Sequence, residues 1–187
     1  MQTSLLSKAT LAEQSSLISN AIEKYDDFFE RLLSIVRNRP INEALGEQIK
    51  TYVLDWLTEH PLADDFAQYS PSSYIRTYLG RSTEIHWEAI LMSWQSGNTT
   101  AIHAHPQFAG YHFADGVFKV EIFEPVNDNR ARLTETLIID KPTGLFAVGP
   151  AGRFDNHIHR ITCLSETGHS LHVYSDDALQ GTVYEQI

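Results

Sequence analysis

The pattern of apolar and polar positions divides the chain into a helical part and a β-rich part. From Leu11 to Val36, apolar residues recur at helical spacing, and Pro40 ends this first predicted helix. A second helix is predicted over about Ile41 to Thr58, and Pro61 closes it. We therefore predict that residues 1–70 form helices that pack on the rest of the chain.

From residue 71 to residue 187 the pattern changes to short β-like runs separated by Gly, Pro, Asn and Asp. Eight or nine short strands in such a stretch predict an antiparallel jelly roll or barrel, within a single domain overall. The predicted strands are Tyr74–Leu79, Ile85–Trp94, Thr100–His105, Val117–Phe123, Arg132–Ile139, Leu145–Val148, His157–Thr162, His169–Ser175 and a short final run, Thr182–Tyr184.

Composition and charge argue against several classes of function. Hydrophobic residues make up 42% and charged residues 20% of the 187 residues, as is typical of a globular protein. The net charge of -10, with no basic run, argues against a nucleic-acid partner. The single Cys163 cannot form an internal disulfide. Neither a signal peptide nor an apolar run of membrane-spanning length is evident, so we predict a cytoplasmic monomer or small homo-oligomer.

Histidines supply the clearest chemical signal. His103 and His105 lie two residues apart on a predicted strand, where side chains alternate, so both imidazoles project from one face. Two imidazoles placed in this way can share a metal ion about 2 Å away. By the same rule His157 and His159 share a face, so either could supply a third ligand. His112 could also face the barrel, although nothing identifies it as a ligand.

Two segments resemble the motifs of the cupin superfamily. The segment from Gly97 to His105, with Gly116 further on, is similar to the first cupin motif, and the segment Gly144–Gly152 is similar to the opening of the second. Many cupins place a glutamate ligand four or five residues after the second histidine, where this chain has Ala109 and Gly110. The resemblance implies a mainly β fold, a cupin double-stranded β-helix with an N-terminal helical segment, and a site of three histidines.

More specific segments resemble the thiol dioxygenases, the family of cysteine dioxygenase and mercaptopropionate dioxygenase. The most specific is Ser-Leu-His-Val-Tyr-Ser, and a His-Arg-aliphatic segment favours His159 over His157 as the third ligand. Two departures are Ala104, where the family usually has Asp, and Cys163, where an Asn is expected. The matching segments are Tyr74-Ile75-Arg76, Met92-Ser93-Trp94, His159-Arg160-Ile161 and Ser170-Leu171-His172-Val173-Tyr174-Ser175.

This resemblance implies a metal-dependent dioxygenase that adds both atoms of O2 to the sulfur of a small thiol carboxylate. One Fe(II) per chain would be bound by His103, His105 and His159. Arg76 would bind the substrate carboxylate, because its planar guanidinium suits a bidentate pair. The implied catalytic relay consists of Ser170, His172 and Tyr174. No Cys–Tyr cross-link is expected, since Ala109 and Gly110 stand where animal relatives carry the cysteine.

Two other functions stay open at this level. One is a different metal-dependent cupin enzyme, such as a carbon–carbon-cleaving dioxygenase or an isomerase. The other is a non-catalytic metal- or ligand-binding cupin. The sequence does not identify the thiol, and Arg81 and Arg153 are further arginines without an assigned place. We interpret Trp94 as part of the barrel wall.

Overall fold

The computed structural model describes residues 24–187. Helix α1 occupies residues 24–36, and the earlier part of the first predicted helix lies outside the described residues. Helix α2 spans Glu43–Glu59, and it begins after Asn42, whose side-chain oxygen accepts a hydrogen bond from the Leu45 backbone nitrogen at 3.0 Å. Within residues 24–187, none of the helices combines the length and apolar character that a membrane crossing requires.

Ten β-strands and two short 3-10 helices, Leu62–Asp64 and Ala178–Gln180, follow α2. The strands are β1 (Ile75–Arg81), β2 (Glu88–Gln95), β3 (Ile102–His105), β4 (Phe108–Asp115), β5 (Phe118–Asn127), β6 (Arg130–Ile139), β7 (Thr143–Val148), β8 (Asn156–Cys163), β9 (Thr167–Tyr174) and β10 (Val183–Gln186).

The strands form two sheets that face each other. The first sheet has the order β1-β2-β9-β4-β7, and the second has the order β10-β3-β8-β5-β6 and closes through a short parallel pairing of β10 with β6. The other pairings are antiparallel. This architecture confirms the predicted fold class, a mainly β jelly roll, or double-stranded β-helix, with helices on its N-terminal side.

Strand β4 was absent from the predicted set, which is a correction to the sequence interpretation. Phe108 to Phe113 are all buried, so this strand shows no alternation of apolar and polar residues. Its alanines, glycine, histidine and aspartate are also weak strand formers. A second difference concerns His86, which lies in a turn with φ 63° before β2 begins at Glu88, rather than in the predicted strand.

Alternation along the strands of the first sheet separates two apolar layers. Leu171 and Val173 of β9 belong to the cluster that includes the buried residues of α1 and α2. The intervening His172 and Tyr174 point to the other side, into the space between the sheets. The helices therefore cover the outer face of the sheet, and the inner face is left to line an interior cavity.

Candidate functional site

Three histidine side chains of the second sheet form a compact cluster. His103 and His105 lie on β3, and His103 is paired directly with His159 on β8. The ring centroids of the three imidazoles are 4.6 to 4.8 Å apart. One ring nitrogen from each lies within 4.8 Å of the others, the arrangement expected of three ligands to one metal ion.

A β-bulge in β8 decides between the two candidate third ligands. His103 pairs with His159 but His105 pairs with Asn156, so β8 contains one residue more than β3 over this interval. His157 has a φ of 48°, which breaks the regular alternation of side chains. The rings of His157 and His159 stay close, with centroids 5.3 Å apart, but the three-histidine cluster contains His159 and not His157.

The imidazole nitrogens of the cluster fit a metal ion. Nδ1 of His103 donates to the carbonyl oxygen of Ala101 at 2.9 Å, which leaves Nε2 as the lone-pair nitrogen. Both ring nitrogens of His105 and of His159 are buried without a hydrogen-bond partner among the described residues. A buried polar atom without a partner is costly unless something binds it, and a cation provides such a partner. The site can therefore hold a metal, and its ligands leave the identity of the metal open.

Burial keeps these imidazoles neutral, the form that binds metals. It lowers the pKa of His103 from its ordinary value, and the nearby Arg76 lowers it further. Burial also holds the pKa of His105 and of His159 well below the ordinary range, and the neighbouring imidazoles add to the effect. A shell of three neutral ligands leaves the whole charge of a bound cation uncompensated.

A cavity of about 170 Å³ lies next to the histidines. Drug-sized ligands occupy pockets of roughly 300–1,000 Å³, so this one suits a smaller molecule. Part of the wall is apolar and includes Met92, Ile161, Leu179 and Val183. Arg76 is the arginine that lines this cavity.

Arg76 is free to bind a ligand, whereas Arg81 and Arg153 are each paired with carboxylates of the protein. Arg81 is paired with Glu88 and Asp177, and Arg153 is paired with Asp155. In contrast, Nε of Arg76 is buried and makes no hydrogen bond to a described residue. The guanidinium carbon lies 5.8 Å from the ring centroid of Tyr78, and the side chain lines the cavity.

Ser170, His172 and Tyr174 form a continuous hydrogen-bonded chain on the inner face of β9. Oγ of Ser170 is 2.8 Å from Nε2 of His172, and Nδ1 of His172 is 2.9 Å from the Tyr174 hydroxyl oxygen. The Tyr174 ring stacks on His105 with a centroid distance of 5.1 Å, and both residues line the cavity. The structure thus brings the predicted relay next to the histidine cluster. Ala109 of β4 is paired directly with Tyr174.

Two aromatic residues, Trp94 and Tyr111, make contacts at the site that the sequence did not predict. The Trp94 indole packs in the barrel interior as predicted, but it also donates a hydrogen bond to Oγ of Ser170 at 2.9 Å. Tyr111 lies edge-on to His159 with a centroid distance of 4.4 Å, and its buried hydroxyl has no partner among residues 24–187. Because β4 was not among the predicted strands, the alternation of side chains along a strand could not be used to place Tyr111 inside the barrel.

The site is divided between the two sheets. All three histidines of the cluster belong to the second sheet, on β3 and β8. Arg76 on β1 and the relay on β9 belong to the first sheet. The cavity between them therefore presents three imidazoles on one side and hydrogen-bonding and cationic groups on the other.

Two other buried histidines lie away from the cavity. Nδ1 of His112 donates to the carbonyl oxygen of Leu171 at 3.0 Å, and burial lowers the pKa of His112 to about 4. It lies close to Gly144 and to the side of the sheet that carries Leu171, so it faces the helices and not the barrel interior. His169 contacts the carboxylate oxygens of Asp115, both at 3.0 Å, and the carbonyl oxygen of Phe66 at 3.1 Å.

Neither a family model nor a curated protein sequence matches this chain. Solved structures similar to it include a cupin superfamily protein from Desulfitobacterium hafniense, with 14% identity, a TM-score of 0.48 and coverage of 63% of this chain and 89% of that one. A conserved protein with a double-stranded β-helix domain from Klebsiella pneumoniae shows 13% identity, a TM-score of 0.48 and coverage of 66% and 94%. A cupin-2 domain protein from Rhodospirillum rubrum shows 10% identity, a TM-score of 0.45 and coverage of 60% and 66%. Two of these three structural neighbours are described as cupins and the third as a double-stranded β-helix protein, and the similarity concerns the fold alone.

Proposed function

We propose that this protein is a mononuclear non-haem iron thiol dioxygenase that converts a small thiol carboxylate, of the cysteine or 3-mercaptopropionate type, to its sulfinate. The observation that carries the proposal is the placement of three neutral imidazoles across a small cavity from an unpaired arginine and a tyrosine. The imidazoles would bind the metal, the arginine would bind the substrate carboxylate, and the tyrosine would supply an oriented hydroxyl.

The three-histidine cluster would hold the metal through one nitrogen of each ring. When bound, iron(II) supplies the positive charge that favours a thiolate at neutral pH and the redox chemistry that activates dioxygen. The overall reaction consumes one thiol and one O2, places both oxygen atoms on sulfur and releases the thiol proton. Sulfur is oxidised and dioxygen is reduced, so no further reductant is required.

Arg76 would bind the carboxylate of the substrate. Nε of Arg76 has no hydrogen-bond partner among residues 24–187, and a guanidinium so placed at the wall of a small cavity favours an anionic ligand with two parallel hydrogen bonds. Such a pair would fix one end of a short molecule and direct its sulfur toward the histidines. The buried apolar residues Met92 and Ile161 along the same wall would limit the access of water.

Tyr174 would orient the reacting groups through its hydroxyl. Burial raises the pKa of Tyr174 well above its ordinary value, so the side chain stays a phenol at neutral pH. Its contact with His172 holds the hydroxyl oxygen in place at 2.9 Å. A fixed hydroxyl beside the cavity can donate to a negatively charged oxygen or sulfur as charge develops.

Oxygen uptake by the full-length protein, loaded with Fe(II), tests this function directly. We expect uptake with cysteine or 3-mercaptopropionate, equimolar sulfinate as product, and no uptake with an analogue that lacks the thiol. Replacement Arg76→Met should raise KM for the thiol carboxylate by about 10²-fold, since a charged hydrogen-bonded pair contributes roughly 1.5–3 kcal/mol. The control Arg132→Met removes an exposed arginine on β6 and should leave KM unchanged.

The same experiment separates the alternatives. Uptake that does not depend on the thiol would support a different metal-dependent enzyme. Absence of turnover with every thiol, at full iron content, would contradict the proposal and support a metal- or ligand-binding protein.

A further inference from the structure

A fourth member extends the relay on β9 away from the cavity. Nε1 of Trp94 lies 2.9 Å from Oγ of Ser170, and the chain of contacts then continues through His172 to Tyr174. All four side chains are buried, with exposed fractions of 2% or less. The relay therefore runs from β2 across β9 to the cavity.

The indole of Trp94 sets the direction in which the hydrogen bonds of the relay run. An indole N–H can only donate, so Ser170 must accept from Trp94. Ser170 has a single hydrogen, and within the described residues its only other hydrogen-bond partner is His172. If Ser170 donates to Nε2 of His172, then Nδ1 carries the imidazole proton and donates to Tyr174. The hydroxyl hydrogen of Tyr174 is then directed toward the cavity.

The opposite direction leaves one donor unsatisfied. If Tyr174 donated to Nδ1 of His172, the protonated Nε2 would donate to Ser170. The hydroxyl hydrogen of Ser170 would then face the indole N–H, which cannot accept it. A buried donor without an acceptor loses its hydration with no compensation, so this direction is disfavoured.

We propose that Trp94 is a positioning residue that sets the direction of the relay, so that Tyr174 acts as a hydrogen-bond donor into the cavity. The catalytic consequence rests on the proposed function, whereas the direction itself does not. Packing holds the indole in place, because its ring lies 4.6 Å from the Tyr74 ring and 5.7 Å from the Phe118 ring between centroids.

The tautomer of His172 is the direct readout of this proposal. We would record ¹⁵N–¹H spectra of histidine side chains on the full-length protein loaded with Zn(II), which is diamagnetic and needs no turnover. We expect a neutral His172 with a proton on Nδ1 and none on Nε2. A proton on Nε2 in the unaltered protein would overturn the proposal, whatever the activity.

The variant Trp94→Phe keeps an aromatic ring and removes the indole donor. We expect the Nε2-protonated form of His172 to become populated, and kcat with the preferred thiol to fall about 3- to 10-fold, as on loss of one hydrogen bond that orients the relay. KM should change little because Arg76 is untouched. Trp87→Phe is the matched control, since Trp87 is also buried but packs against Phe108 on the helical side.

The two proposals fail in different ways. If Trp94→Phe leaves both the His172 tautomer and kcat unchanged, Trp94 only fills space and the inference is wrong. If the tautomer shifts as expected but no thiol is oxidised by the unaltered protein, the inference stands and the proposed dioxygenase activity is wrong.

Discussion

His103 on β3 and His159 on β8 are directly paired residues of adjacent antiparallel strands, with ring centroids 4.8 Å apart. This pairing closes the histidine cluster, because the two rings come from strands separated by more than fifty residues in the sequence. The bulge next to His159 is what keeps His157 out of the same cluster. Metal affinity should therefore distinguish sharply between these two neighbouring histidines.

Replacement of His159 by Ala removes one of three ligands, and we expect a loss of metal affinity greater than the roughly 10- to 100-fold seen for outer partners. The neighbouring change His157→Ala should leave one metal ion per chain. Metal content after dialysis, measured by atomic emission, checks both variants. Retention of metal by His159→Ala together with loss by His157→Ala would show that the cluster has been assigned to the wrong histidine.

Tyr174→Phe removes only the hydroxyl that faces the cavity. We expect kcat for thiol oxidation to fall about 10²- to 10³-fold, the usual cost of losing one preorganised donor, while the metal content stays normal. Tyr78→Phe is a suitable control, since Tyr78 is 45% exposed and its ring contact with Arg76 survives the change. Equal rates for both variants would exclude a role for the relay in turnover.

His169 makes stability depend on pH in a predictable direction. Burial lowers its pKa, but the hydrogen bond and charge of Asp115 outweigh burial and raise the pKa above its ordinary value. The stabilisation is complete below the unfolded pKa near 6.5, and it is lost as pH rises through the folded pKa. His169→Gln should therefore lower the unfolding free energy by about 1–3 kcal/mol at low pH and by less at high pH.

Urea unfolding at about pH 5.5, below the ordinary histidine pKa, and at about pH 9, well above it, measures that difference. His86→Asn serves as the control, because His86 is exposed and asparagine tolerates its positive φ. A loss that is the same at both pH values would mean that the Asp115 contact carries no proton-linked stability.

Gly181 holds the segment after the short helix Ala178–Gln180 against β3. A side-chain carbon at this position would overlap the carbonyl oxygen of Ala104, which is backbone and cannot move aside. We expect Gly181→Ala to lower stability by about 1–3 kcal/mol and to raise KM, since Gly181 lines the cavity. The exposed neighbour Gln180→Ala should change neither quantity, as thermal unfolding and initial rates would show.

The sequence was most informative where local periodicity and side-chain chemistry agreed. Strand β9 shows this, because alternation alone places Ser170, His172 and Tyr174 on one face, and the structure links them by hydrogen bonds. The fold class followed from the spacing of such strands. The remaining features depend on contacts that periodicity does not encode.

Three features illustrate that limit. Strand β4 is buried on both faces, so it has no polar side to mark it as a strand. The bulge in β8 places a non-glycine residue, His157, in left-handed backbone conformation, which a two-residue period cannot anticipate. The bond from Trp94 to Ser170 joins residues 76 positions apart and exists only because β2 and β9 are neighbours.

The division of the site between two sheets has a consequence for how its reactivity could be altered. The imidazole cluster keeps its internal geometry as long as β3 and β8 stay paired, and the relay keeps its own as long as β9 is intact. The distance between these two halves is set by the apolar filling between the sheets, for instance by Phe113 against Phe118 at a centroid distance of 4.9 Å. A change in the volume of that filling would alter the distance between the Tyr174 hydroxyl and the histidine cluster without replacing any residue of the site.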